Sequence, residues 1–171
     1  MKYKIFALLL GVAAAAGLAL SASAAQTHEV PVTLTVVNTQ QRISVTVPAS
    51  LPVSVVDGVV ITATNAAVRN TADEGVVRIA AVEVTDGSLT VGDYDHFEEA
   101  PVNTIALRLN GCPTRGAGFL SITDSAFPPI APGDRLTLDY EARVRAVGAS
   151  RNEKAAAVVF TIEAVESGGA A

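Results

Sequence analysis

The feature that most constrains this chain is a hydrophobic period of two. Leu136, Leu138, Tyr140, Ala142, Val144 and Ala146 alternate with Arg135, Thr137, Asp139, Glu141, Arg143 and Arg145. Successive side chains of a strand point to opposite faces, so this segment reads as a strand with one face in a core and the other in water. Val30, Val32, Leu34 and Val36 alternate with Pro31, Thr33 and Thr35 in the same way, and Ile43, Val45 and Val47 with Ser44 and Thr46. Ile105, Leu107 and Leu109 repeat the pattern, as do Val158, Phe160, Ile162 and Ala164. No stretch after residue 24 sustains a helical period. The chain is therefore expected to be all-β.

Turn signals cut the pattern into short strands. Asp57-Gly58 divides the apolar run 53–64, Asp86-Gly87 follows the run 76–84, and Asn110-Gly111 follows Leu109. Asp-Gly and Asn-Gly accept the positive φ that a two-residue hairpin loop demands, so each predicts a hairpin. Pro128-Pro129 and Pro132-Gly133-Asp134 break the chain before the long strand, and residues 148–153 are expected to return that strand to its partner as a last hairpin. About eight to ten strands at spacings of about 8 to 14 residues predict a sandwich of two antiparallel sheets. Pro31, Pro48 and Pro52 have no N–H to give to a ladder, which places their segments at edges or crossovers. An edge strand carrying Val30, Val32, Leu34 and Val36 is then the element most open to pairing with another subunit.

The residues before the first strand read as an export leader. Lys2 and Lys4 precede the uncharged apolar run 5–20, and Ala22-Ser23-Ala24 supplies small residues for cleavage. That run falls short of the roughly 20 residues that span a bilayer. The expected division is a signal peptide at 1–24, one β-sandwich domain at 25–166 and a flexible tail at 167–171, giving a secreted or surface-associated product without a membrane span. Of 171 residues 12 are Lys or Arg and 17 are Asp or Glu. Losing the two leader lysines takes the net charge to about −7, which disfavours nucleic acid, whose phosphates need a basic face.

Catalytic sets are missing from the sequence. Two His and one Cys do not make a His- and Cys-rich zinc site. His28-Glu29-Val30-Pro31-Val32 lacks the second His of a zinc-protease helix, and no Gly-x-Ser-x-Gly elbow or Gly-rich phosphate loop occurs. Cys112 has no intramolecular partner, so it is either a small buried apolar residue or a thiol that pairs between chains. Functional groups concentrate in one segment, Asp93-Tyr94-Asp95-His96-Phe97-Glu98-Glu99. Asp93, Asp95, Glu98 and Glu99 are the hard oxygen ligands that calcium takes from a loop. The same segment also reads as a solvated acidic loop whose Tyr94 and Phe97 pack back as anchors. Of the aromatics Tyr94, Phe97, Phe119, Phe127, Tyr140 and Phe160, the last two lie on apolar strand faces, and Tyr94, Phe97 and Phe127 are the ones that read as platforms for a sugar. Arg135, Arg143 and Arg145, interleaved with Asp139 and Glu141, form either a solvated strand face or a charged contact surface for another subunit.

Residues 43–68 run as a Val-rich strand, Pro48-Ala49-Ser50-Leu51-Pro52, a strand, Asp57-Gly58 and then Thr64-Asn65-Ala66. This segment resembles small secreted surface modules of Gram-positive bacteria, and more distantly it is similar to cell-wall-associated WxL-type domains and to subunits of TasA-like matrix fibres. The resemblance implies an immunoglobulin-like sandwich. The chain contains no Trp, so the WxL motif itself is missing. Together these readings give an expected function: an exported, non-catalytic cell-surface or extracellular-matrix structural protein that self-associates or docks on another surface protein by strand addition. The alternative is a carbohydrate- or cell-wall-binding module, calcium-dependent through the acidic loop.

Overall fold

The structure is a computed structural model that describes residues 26–37, 43–146 and 152–165. The leader read at 1–24 and the tail at 167–171 lie outside the described residues. In chain order the strands are β1 (Gln26–Val37), β2 (Val45–Thr46), β3 (Ser50–Val56), β4 (Val59–Thr62), β5 (Ala67–Asn70), β6 (Val76–Asp86), β7 (Thr90–Val91), β8 (Thr104–Leu109), β9 (Cys112–Pro113), β10 (Gly118–Phe119), β11 (Arg135–Thr137), β12 (Tyr140–Arg145), β13 (Asn152–Lys154) and β14 (Ala156–Val165). A single 3₁₀ turn, Phe97–Glu99, is the one helical element among the described residues. No helix there is long and apolar enough to cross a membrane.

The largest sheet runs β10-β6-β14-β1-β3-β4, with β13 alongside β1 just ahead of β14. A second sheet runs β11-β5-β2, and a third runs β12-β8-β7 with β9 beside β8. The inward alternate residues of all three meet in one core, in which Val30, Val53, Val84, Leu107, Leu138 and Phe160 are fully buried. The sheets curl, so that β4 lies against β12 and β7 against β6. The fold is all-β and compatible with a sandwich.

Two of the three hairpin signals give hairpins. Asp57 and Gly58 take φ of 51° and 78°, and Asn110 and Gly111 take 46° and 81°, so each pair has the two positive φ values of the turn that joins tightly twisted strands. These turns connect β3 to β4 and β8 to β9. Asp86-Gly87 behaves differently. Gly87 has an ordinary negative φ and sits against the β13–β14 junction, where an added Cβ would lie 2.5 Å from the Lys154 carbonyl oxygen. Here glycine serves close backbone approach, and β7 pairs parallel with β8 instead of folding back on β6.

The expectation of a purely antiparallel arrangement is corrected by β1, which runs parallel to β13 and β14. The two partners come from opposite ends of the chain, and a parallel pair needs such a long connection. It also corrects the reading of β1 as an edge. Residues 26–31 lie between β3 on one side and β13 on the other, at the centre of the sheet. Pro31 fits there because the partner strand is broken opposite it: pairing with β13 ends at Glu29↔Lys154, Ala155 N–H donates to the Glu29 carbonyl, and pairing with β14 resumes at Val32↔Val158. Pro48 does fall in a crossover, between β2 and β3, which belong to different sheets.

Pro52 lies in an interior strand for a different reason. The β3–β4 ladder ends at Val53↔Thr62, and the next pair would be Pro52 with Ala63. Proline has no N–H to close it. The Tyr140 hydroxyl takes the place of that pair, donating to the Pro52 carbonyl at 2.7 Å and accepting from the Ala63 N–H at 3.0 Å.

The long alternating segment 135–146 is two strands, not one. β11 pairs with β5, and after Leu138-Asp139 the chain enters another sheet as β12 and pairs with β8. Leu138 and Tyr140 remain buried across the change of sheet, which is why the alternation carries no sign of it. β12 and β14 are consequently in different sheets, and the expected last hairpin does not form.

Candidate functional site

The functional groups gather where residues 93–99 fold as a strap over the outer face of β8 and β12. Sheet alternation puts Arg108 of β8 and Glu141 and Arg143 of β12 on that face, with Glu141 directly opposite Arg108. Tyr94 lies between two guanidinium groups, 4.7 Å from Arg108 and 4.6 Å from Arg143 to the ring centre. Cations over a ring face are attracted by its negative quadrupole. The Tyr94 hydroxyl donates to Glu141 Oε2 at 2.6 Å, and Arg108 Nη2 donates to the same oxygen at 2.6 Å. Beneath the strap Tyr94, Phe97 and Ala106 form a small second core.

The ends of the strap are tied as well. Tyr94 N–H donates to the Thr114 carbonyl, and Arg145 donates to the carbonyls of Ala100 and Glu98. Asp93 accepts from the backbone N–H groups of Asp95 and His96 and faces the His96 ring at 3.2 Å. The His96 side chain, with these backbone bonds, holds the Asp93 carboxyl below the usual aspartate range. The Tyr94 hydroxyl first, then Arg108, lowers Glu141. Burial, then the Glu141 carboxylate, raises Tyr94, which therefore stays a donor.

The four candidate calcium ligands have different neighbours in this geometry. Asp93 faces His96, Asp95 lies 3.7 Å from Arg115, Glu98 lies 4.0 Å from Arg143, and Glu99 is exposed. Among the described residues no group of three or more His, Cys, Asp or Glu side chains is placed to hold a metal ion. The aromatic platform is corrected: Tyr94, Phe97 and Phe127 are 4 %, 8 % and 3 % exposed, so none presents a ring to a sugar. Phe119 of β10, which the sequence reading passed over, is 72 % exposed at the end of the large sheet. Its two-residue strand gives too short an alternation to show which way it points.

Cys112 is buried against the main core, so a disulfide to another chain needs this corner to open first. Of the proposed association edge, Val30 is fully buried at the sheet centre, whereas Val32 and Leu34 are half-buried beside β14. Val36 pairs opposite Ile162. The sequence reading also missed the role of Arg108. Its alternation with Leu107 and Leu109 places it outward, but only the β8–β12 register brings it to Glu141.

Comparison with protein-family models, with curated proteins and with solved structures finds no match to this chain.

Proposed function

We propose that the chain is an exported, non-catalytic structural protein of a cell surface or extracellular matrix, an immunoglobulin-like module that associates with copies of itself or with another surface protein by strand addition. The observation that carries this reading is the second half of β1. Residues 33–37 pair with β14 on one side, and no strand among the described residues pairs with them on the other. Val32 N–H donates to the Ala49 carbonyl, away from β14. By alternation the N–H and C=O groups of Leu34 and Val36 point the same way, toward a side that no strand among the described residues covers and where another strand can add.

The strap supports the non-catalytic part of the reading. Tyr94, Arg108, Glu141 and Arg145 are committed to one another and to backbone groups, and they pin a loop to a sheet, while Glu98 and Glu99 stay exposed on it. The test is light scattering of the exported protein over a range of concentrations. Ordered growth is expected, and Val36→Pro, which removes an outward N–H and leaves the β14 ladder intact, is expected to reduce it with an unchanged melting temperature. A wild-type monomer at every concentration sinks self-association, and full growth of a folded Val36→Pro variant sinks this edge.

A further inference from the structure

Arginine partners divide unevenly over the surface. Among the described residues Arg78, Arg108, Arg115 and Arg143 each have a carboxylate within 4.0 Å, and Arg145 is bound to backbone carbonyls. Arg69 and Arg135 have neither among the described residues. They stand directly opposite one another on the exposed face of the β11-β5-β2 sheet. Asn70 N–H donates to the Asp134 carbonyl and Leu138 N–H to the Ala66 carbonyl, so positions 66/138 and 70/134 are bonded pairs of the ladder. By alternation 69/135 is a non-bonded pair, the position at which cross-strand side chains come closest. Like charges placed there weaken a sheet. Among the described residues no carboxylate answers this pair, which leaves both guanidiniums open to a partner.

We infer that Arg69 and Arg135 dock the acidic turn Glu98-Glu99 of a second copy of this chain. The inference rests on the self-association reading above and names a contact for it. Two guanidinium forks side by side match two carboxylates, each able to accept two parallel N–H bonds. Charge complementarity fits the second copy: Glu98 and Glu99 are adjacent exposed carboxylates, and Glu98 is 90 % exposed with only a 4.0 Å approach to Arg143 to give up. Glu98 and Glu99 are also held ready. Phe97 is buried beneath them, and Arg145 fixes the carbonyls of Glu98 and Ala100. The arginine pair and the acidic turn are separate patches, so a head-to-tail contact leaves one patch of each kind unpaired at the two ends. Repeated from copy to copy, that contact grows a file of molecules.

A charge swap tests this. In low salt, Arg69→Glu with Arg135→Glu is expected to weaken self-association more than about tenfold, as is Glu98→Arg with Glu99→Arg. Mixing the two variants restores alternating growth, because each then offers what the other lacks. Growth that persists undiminished in both variants overturns the inference, as does a mixture that stays monomeric. If Val36→Pro blocks growth while the swaps leave it unchanged, strand addition survives and this contact fails. If no form of the protein associates, both fail. Retention on immobilised polyphosphate that is lost with Arg69→Glu and Arg135→Glu, without any change in growth, also overturns it and assigns the pair to an anionic polymer.

Discussion

Tyr140→Phe isolates the hydroxyl that substitutes for a ladder pair. The wild-type hydroxyl makes two bonds, donating to the Pro52 carbonyl at 2.7 Å and accepting from the Ala63 N–H at 3.0 Å. The ring itself is buried, 2 % exposed, so replacing it with phenylalanine keeps the packing and removes one oxygen. Pro52 is exposed and its carbonyl can turn to water. The Ala63 N–H loses its partner in a half-buried position, and an unmade bond of this kind costs about 1–3 kcal/mol. We expect a loss of about 1–2 kcal/mol. For a domain of this size each kcal/mol corresponds to about 3–5 °C, so the melting temperature should fall by about 3–10 °C in calorimetry.

A second substitution makes the argument specific to the missing N–H. Pro52→Ala restores a donor, so in the Tyr140→Phe background residues 52 and 63 can close their own ladder pair. Part of the loss is then recovered, whereas the same change in the wild type displaces a satisfied hydroxyl and gains little. Burial raises the Tyr140 pKa, so its contribution is fully present below the unfolded phenol value of about 10 and is lost as pH rises through the higher folded value. A Tyr140→Phe variant that melts within 1 °C of the wild type, by the same calorimetric scale, or a double variant no more stable than Tyr140→Phe alone, refutes the reasoning.

Three further outcomes are expected. Gly87→Ala forces a Cβ to within 2.5 Å of the Lys154 carbonyl and should cost about 2–3 kcal/mol in denaturant unfolding, although Gly87 has no positive φ. Glu141→Gln should flatten the acid limb of strap stability, read as tyrosine near-ultraviolet dichroism. Glu141 is lowered in the folded state, so its contribution is present above the unfolded value of about 4.3, is lost as pH falls through the folded one, and stays within about 1 kcal/mol at so exposed a site. Arg69→Thr should stabilise the monomer by about 0.2–1 kcal/mol in the same unfolding assay, because it removes a like-charge pair from the β5–β11 ladder.

What the sequence discloses here is local, and what it conceals is pairing. Asn110-Gly111 and Asp57-Gly58 are legible because a two-residue turn demands a backbone conformation that few residues accept, and the demand acts between neighbours. Asp86-Gly87 carries the same letters for another reason, the approach of the β13–β14 junction from some 70 positions away. Alternation likewise reports which face of a strand is buried but not which strand lies beside it. Leu136, Leu138 and Tyr140 therefore read as one strand while the chain passes from one sheet to another. The prolines show the same limit. Absence of an N–H excludes a residue from a complete ladder, and the sequence offers edges as the natural outcome. The fold instead interrupts the ladder where the prolines fall, with a break in the partner strand between Lys154 and Val158 alongside Pro31 and a tyrosine hydroxyl beside Pro52. The candidate site divides along the same line. Burial of Tyr94 and Phe97 follows from their place in an acidic loop that must anchor somewhere, whereas Arg108 meets Glu141, and Arg69 meets Arg135, only through register. Arg69 and Arg135 are brought together in the same way, by the β5–β11 register alone, and neither residue's neighbours in the sequence announce it.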